Sequence, residues 1–111
     1  MVEKYADVEK AVSIYIAELR KHGINPQKVI LFGSHAAGTA TPLSDIDLVI
    51  VSADLARWSA LERLEMLSRL TICVDAPLEV LGYTPEEIEK AGSDSILWGE
   101  IQKTGKVLVA A

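Results

Sequence analysis

Two kinds of apolar pattern alternate along this chain, and their alternation constrains the fold more than any other feature. Segments whose apolar residues recur every three or four positions are typical of amphipathic helices, whereas short continuous apolar runs are typical of buried strands. The patterns predict helices over 3–22, 55–70, 85–91 (ended by Gly92) and 93–103, and strands over 29–32, 45–51, 77–83 and 107–109. This order predicts an α/β (α+β) protein with a small mixed β-sheet flanked by helices.

Turn-forming residues separate these segments. Gly23 is placed to be the left-handed C-cap of the first helix, and Pro26 prevents the helix from continuing. Thr84 and Pro85 form an N-cap and a first helical position. The strand over 45–51 carries apolar side chains on both faces, which predicts a central position in the sheet.

Length and charge exclude several classes of protein. A chain of 111 residues fits one domain, 1–111, and its net charge of −5 argues against a freestanding nucleic-acid binder, which usually has a basic face. No apolar run reaches the roughly 18 residues of a membrane span, and the N-terminus has no signal-peptide pattern, so we expect a cytoplasmic protein. The single cysteine, Cys73, excludes an internal disulfide and a multi-cysteine zinc site, and we expect its side chain to be buried.

The pair Asp45 and Asp47 stands at the start of a predicted buried strand. Residues two apart in a strand face the same side, about 6.7 Å apart along the chain, so both carboxylates can converge on one point. Two anions on an apolar strand are costly to desolvate, and a divalent cation with oxygen ligands, Mg²⁺ above all, would relieve that cost. The alternative is that both are solvated acids at a strand end.

Gly33 and Ser34 follow the first predicted strand directly. Gly33 permits a sharp turn and close approach of a ligand, and the small residues after Ser34 predict one helical turn, stopped by Gly38. The free N–H groups of such a turn, with the Ser34 hydroxyl, would bind an anion. The alternative is an ordinary strand-to-loop turn. A phosphate cradle and a carboxylate metal site on neighbouring strand ends are the parts that phosphoryl-type transfer requires.

The arrangement of Gly-Ser, ten residues and Asp-x-Asp resembles the nucleotidyltransferase superfamily that includes DNA polymerase β. More narrowly, it resembles the minimal nucleotidyltransferase (MNT) domains, and the resemblance extends to the segment 98–108. It implies a polymerase-β-like fold, an NTP substrate and a phosphate-binding site at Gly33, Ser34 and Ser44. It also implies two Mg²⁺ ions held by Asp45, Asp47 and a third carboxylate on a later strand.

Glu79 is our candidate for that third carboxylate, because it is an acid inside an apolar strand; Asp75, in a predicted turn, is the competitor. Related domains usually have Asp at the position of Glu79. They also commonly carry Arg where this chain has His35 and Ala37, and Arg is a strong bidentate phosphate ligand. His35 could contact phosphate or face the solvent. This departure puts nucleotide affinity or rate in question.

The leading hypothesis is a Mg²⁺-dependent transfer of NMP, with AMP from ATP the first choice, to an acceptor hydroxyl. Asp45, Asp47 and Glu79 would be catalytic. The resemblance implies that the acceptor is a tyrosine of a HEPN ribonuclease toxin and that this chain is its antitoxin, acting in a complex with it. A non-catalytic module that neutralises a partner by binding is the alternative. Transfer to a small molecule such as an aminoglycoside is a third hypothesis, although it usually needs a second domain.

Overall fold

Five α-helices, four strands and two 3₁₀ turns alternate over residues 3–41, 44–91 and 95–110, the part of the chain that the computed structural model describes. The helices are α1 Glu3–Lys21, α2 Ser34–Ala37, α3 Ala60–Arg69, α4 Pro85–Ala91 and α5 Ile96–Thr104. The strands are β1 Lys28–Phe32, β2 Ile46–Val51, β3 Leu78–Tyr83 and β4 Lys106–Ala110, and the 3₁₀ turns are Ala53–Arg57 and Leu70–Cys73. None of these described helices is long and apolar enough to cross a membrane. Gly92 and Ser93, a predicted helix end and a predicted helix start, lie outside the described residues.

The four strands form one mixed sheet in the order β3-β2-β1-β4. Strand β1 is antiparallel to both β2 and β4, whereas β2 and β3 are parallel. The predicted mixed sheet and the central position of β2 are therefore confirmed. Residues 48–51 of β2 are all buried. Because helices cover both faces of this strand, apolar side chains are needed on both faces, which accounts for its continuous apolar run.

Helices cover both faces of the sheet. On one face α1 and α3 pack against β1 and β2, and the hydroxyl of Tyr15 donates a 2.7 Å hydrogen bond to the carbonyl of Leu67, which joins the two helices. On the other face Trp98 and Ile101 of α5 pack against Val49 and neighbouring side chains of β1 and β2. Burial of the Tyr15 phenol raises its pKa well above the ordinary value, so Tyr15 is a neutral structural group.

The predicted helix over 55–70 is wrong in its first half. The segment begins as the 3₁₀ turn Ala53–Arg57, becomes extended at Trp58 and Ser59, and restarts as α3 at Ala60. The reason is local: the Ser59 hydroxyl accepts from the Glu62 N–H, and the Glu62 carboxylate accepts from the Ser59 N–H. This capping box fixes a helix start at Ser59.

Two leucines that fit the apolar pattern of the predicted helix over 55–70 are exposed, and so is Cys73, which we expected to be buried. Leu61 is 66% exposed and Leu64 is 48% exposed, because leucines spaced three residues apart shift by about 60° per step around an α-helix and cannot all face the sheet. Leu67 and Leu70 of the same stripe are buried. Cys73 ends a 3₁₀ turn at the surface and is also exposed.

The predicted turns at Gly23 and Thr84 are confirmed. Gly23 has a φ of 79°, the left-handed conformation expected of a C-cap. The Thr84 hydroxyl accepts from the Glu87 N–H, while the Glu87 carboxylate accepts from the Thr84 N–H. Glu87 thereby does more than complement the helix dipole, since its carboxylate also accepts a 2.7 Å hydrogen bond from Arg63.

Candidate active site

The turn after β1 is built on Gly33. Its backbone (φ 72°, ψ −154°) is accessible to glycine and strained for other residues. The chain then makes the single helical turn α2, which ends at Gly38 in the left-handed conformation. The Gly33 carbonyl accepts hydrogen bonds from the N–H groups of Ala36 and Ala37. The predicted sequence of strand, sharp turn, helical turn and glycine stop is therefore present, with Ser34 at its first helical position.

Asp47 is the second residue of the inner strand β2, at the end of the sheet where β1 finishes and β3 begins. Its Cα is opposite Phe32, the last residue of β1, and opposite Glu79 in the parallel β2–β3 ladder. Asp45 lies just before β2 and is exposed, Asp47 is half-buried, and Glu79 is exposed. The fold thus places Asp47 beside the Gly33 turn on one side and beside Glu79 on the other.

Gly33 and Asp47 are in close contact. A Cβ placed on Gly33 would overlap Oδ2 of the Asp47 carboxylate. Any side chain at position 33 would therefore have to displace the carboxylate in addition to adopting a strained φ. The motif glycine provides both the turn and the space for Asp47.

The carboxyl group of Asp47 has a raised pKa of about 6. Burial makes the largest contribution, followed by a hydrogen bond with Glu79 and by the negative charges of Glu79 and Asp45; the nearby His35 opposes these effects. Asp45, Asp47 and Glu79 are consequently close enough to interact. Asp75, the competing candidate, instead borders a cavity lined by residues of α1.

His35 and Ser44 connect α2 to the residues before β2. His35 Nε2 lies 3.3 Å from the Ser44 carbonyl oxygen. The Ser44 hydroxyl accepts a 2.9 Å hydrogen bond from the Thr41 N–H, and the Ser44 N–H donates to the Thr41 carbonyl. Through these bonds Ser44 closes the loop before β2. The predicted contact of its hydroxyl with a phosphate stays a prediction. No sequence motif signals the His35–Ser44 contact, because it depends on how the loop folds back.

The carboxylates fit a magnesium ion through their chemistry. Among the described residues, no three acidic, histidine or cysteine side chains are arranged to hold one ion. Mg²⁺ does not require three, since it commonly binds one or two carboxylates, several waters and substrate phosphates. Asp47 and Glu79 place two acidic groups next to each other in the β2–β3 ladder, and a divalent cation would supply the positive charge that balances them.

Comparisons with known proteins identify the family. The model of the nucleotidyltransferase domain matches residues 12–104, so the chain belongs to the nucleotidyltransferase domain family. The predictions of a polymerase-β-like fold and of the minimal nucleotidyltransferase type are confirmed by this match together with the structural neighbours. A search of curated proteins found no match to this chain.

Three solved structures resemble this one. A Sulfolobus solfataricus protein assigned as a nucleotidyltransferase has a TM-score of 0.68 at 19% identity, over 96% of this chain and 83% of that one. A toxin–antitoxin solved with AMP-PNP has a TM-score of 0.57 at 25% identity, over 89% and 73% of the two chains. A tyrosine-to-alanine mutant of the toxin–antitoxin MntA-HpeT has a TM-score of 0.58 at 26% identity, over 86% and 69%.

Proposed function

We propose that this chain transfers AMP from ATP to a hydroxyl group of a partner protein, a tyrosine of a HEPN-type toxin, and thereby acts as an antitoxin. The observation that carries the proposal is the position of Asp47, between the Gly33 turn and the carboxylate of Glu79. A glycine turn that a phosphate can approach, next to paired carboxylates, is what nucleotidyl transfer needs.

The motif residues divide into two groups in this proposal. Asp45, Asp47 and Glu79 would hold Mg²⁺, which when bound lowers the pKa of the acceptor hydroxyl and stabilises the leaving pyrophosphate. Gly33 and Ser34 would hold the phosphates of ATP with backbone N–H groups and the Ser34 hydroxyl.

The transfer step is a displacement at the α-phosphorus of ATP. The acceptor oxygen forms a bond to the α-phosphorus, the bond from that phosphorus to the pyrophosphate oxygen breaks, and pyrophosphate leaves. In this proposal Glu79, which is exposed beside Asp47, takes the proton from the acceptor hydroxyl.

The partner proposal has two supports. Two structural neighbours are toxin–antitoxin structures, one of them with AMP-PNP and the other with a tyrosine replaced by alanine. The net charge of −5 also favours a basic protein as partner over a nucleic acid. The proposal therefore requires a toxin that has a basic surface and an acceptor tyrosine.

A second candidate function is neutralisation by binding alone. It is favoured by His35 and Ala37, which replace the arginines that related domains use for phosphate, and by the engagement of Ser44 in its own loop. In this case the fold would be kept and catalysis lost.

One experiment separates the two functions. The chain is mixed with α-³²P-ATP, Mg²⁺ and the protein encoded by the reading frame adjacent to its gene, and label on that protein is measured. We expect labelling by the wild type, loss of at least about a hundredfold in Asp47→Asn, and no loss in Asp75→Asn, the control acid outside the site. Equal labelling by Asp47→Asn and the wild type would contradict the mechanism. Absence of label with retained neutralisation of the partner would favour binding alone.

A further inference from the structure

The two aspartates of the motif are held by the fold in different ways. Asp47 lies inside β2 and has a Cα partner on each side, Phe32 in β1 and Glu79 in β3. Asp45 precedes β2, which begins at Ile46, so neither the β1–β2 ladder nor the β2–β3 ladder includes it. Asp45 can therefore share one ion with Asp47 only if the loop before β2 is itself held in place.

Ser44 is the last residue of that loop before Asp45, and it forms a local turn with Thr41. The Ser44 N–H donates to the Thr41 carbonyl at 3.0 Å, and the Ser44 hydroxyl accepts from the Thr41 N–H at 2.9 Å. Both bonds join residues that are close together in the chain. They fix the shape of the turn, whereas its position relative to α2 requires a contact that leaves the loop.

His35 makes a contact of that kind. Its Nε2 lies 3.3 Å from the carbonyl oxygen of Ser44. A carbonyl oxygen can only accept a hydrogen bond, so Nε2 is the nitrogen that carries the proton in this contact. His35 is the second residue of α2, directly after Ser34. The contact therefore ties the end of the loop to the helical turn that follows Gly33.

The oxygen that His35 holds belongs to the peptide group that joins Ser44 to Asp45. This group is planar, so a hydrogen bond to its oxygen limits rotation of the whole plane and restricts where the Asp45 side chain can be placed. The imidazole also lies near Asp47: burial makes the largest contribution to the raised pKa of that carboxyl, and His35 opposes the rise. One side chain is thus near both aspartates of the motif.

We infer that His35 is a positioning residue for the carboxylate site, whose imidazole holds the Ser44–Asp45 peptide against α2 and thereby sets Asp45 beside Asp47 for a divalent cation. In this role the imidazole acts through the backbone and touches neither the ion nor the nucleotide. The inference rests on the proposed function for the metal site, but metal affinity is measured without any transfer reaction.

The test measures binding of Mn²⁺, a spectroscopic substitute for Mg²⁺, to the full chain without nucleotide. Electron paramagnetic resonance gives the free Mn²⁺ in titrations of wild type, His35→Ala and His35→Gln. We expect His35→Ala to raise the Kd about three- to tenfold, the size expected when one hydrogen bond between neutral groups is lost. His35→Gln should recover most of the affinity, because its amide N–H can donate from nearly the same place as Nε2.

His22→Ala is the matched control. The His22 imidazole also contacts a backbone carbonyl, with Nδ1 3.0 Å from the Glu18 oxygen, but that contact lies at the C-terminal end of α1. Its removal should leave the Mn²⁺ affinity unchanged. Thermal unfolding in EDTA shows whether each variant is folded, and recovery in His35→Gln separates loss of the hydrogen bond from a general loss of stability.

A double-mutant cycle shows whether His35 acts through Asp45. Asp45→Asn should itself weaken Mn²⁺ binding, and His35→Ala should add little further loss in that background. In the transfer reaction, His35→Ala should raise the Mg²⁺ concentration needed for half-maximal rate, and the defect should disappear at saturating Mg²⁺. Two losses that add in the double variant would mean that His35 does not act through Asp45.

Several results would overturn the inference. They are an unchanged Kd in His35→Ala, an equal loss in His22→Ala or in His35→Gln, additive losses in the cycle, and a wild type that binds no Mn²⁺ at millimolar concentration. A His35→Ala protein that keeps its Mn²⁺ affinity but binds inorganic triphosphate more weakly would assign the imidazole to phosphate instead. If the wild type transfers no label while the Mn²⁺ results hold, the catalytic proposal fails and the positioning role stands.

Discussion

Asp47 and Glu79 are paired across the parallel ladder of β2 and β3, and the Asp47 carboxylate also lies against the Gly33 turn. This pairing joins two acids that are 32 positions apart in the sequence. Burial of Asp47 is the largest cause of its raised pKa, and the neighbouring Glu79 adds to it. Three predictions follow from this and the neighbouring contacts, each with a control residue.

Glu79→Gln should lower the pKa of Asp47 from about 6 toward its ordinary value. Burial, the largest cause, stays in the variant, so we expect the pKa to fall only part of the way. The measurement is a carboxyl ¹³C NMR titration of metal-free protein in EDTA. Glu86→Gln, an exposed acid outside the site, is the control and should leave Asp47 unchanged. A pKa of Asp47 that is the same in Glu79→Gln and in wild type would show that the two carboxyls do not interact.

Gly33→Ala should destabilise the fold and abolish transfer. An alanine at position 33 would have to adopt a left-handed φ, which costs a non-glycine residue about 1–2 kcal/mol. Its Cβ would also overlap the Asp47 carboxylate. Gly38→Ala is a matched control, because Gly38 has a similar φ of 79° and a Cβ there would meet nothing within 4 Å. Urea unfolding should therefore show a larger loss for Gly33→Ala than for Gly38→Ala. Equal losses would mean that the contact with Asp47 costs nothing.

The Arg63–Glu87 pair should make stability depend on pH. Burial raises the pKa of Glu87, but hydrogen bonds from Arg63 and Thr84 outweigh it, so the pKa is lowered in the folded protein from its ordinary value of 4.5. The stabilisation is therefore fully present above pH 4.5 and is lost as the pH falls through the folded-state pKa.

Glu87→Gln is the variant that tests this dependence. At pH 7 it should lower the free energy of unfolding by about 1 kcal/mol, a modest value because nearly half of the Glu87 side chain is exposed. The difference from wild type should shrink below pH 4.5, and Glu89→Gln, on the same helix, should show no such trend. Chemical denaturation at pH 7 and at pH 3 is the measurement. A difference that is constant with pH would assign the loss to packing instead of charge.

Much of this protein could be predicted from local sequence patterns. Apolar period separates helices from strands, and Gly23, Gly38 and Thr84 have the turn and cap geometries that their residue types favour. The Gly33-Ser34 and Asp45-x-Asp47 motifs lie at the end of β1 and the start of β2 as expected. These features depend on interactions within a few residues, so the sequence alone determines them.

The errors arose where local and distant interactions compete. The leucine spacing over 55–70 fits one helix, but the capping box of Ser59 and Glu62 starts a helix at that point. The signal was present in the sequence as Ser-x-x-Glu, and the apolar period concealed it. The residue type of Cys73 predicted a buried side chain. Its exposure instead depends on where the 3₁₀ turn Leu70–Cys73 lies on the surface of the fold.

The sequence offered both Glu79 and Asp75 as the neighbour of Asp47, and the tertiary structure decides between them. Strand register is a relation between segments far apart in the chain, and only the parallel pairing of β2 with β3 sets Glu79 opposite Asp47. The same holds for Arg63, whose buried guanidinium has partners in β3, in α4 and in the 3₁₀ turn before α3. The sequence determined which chemical groups are available and the local turns that carry them. The packing of distant strands and helices decided which of those groups meet, because that choice minimises the free energy of the whole core and not of any one segment.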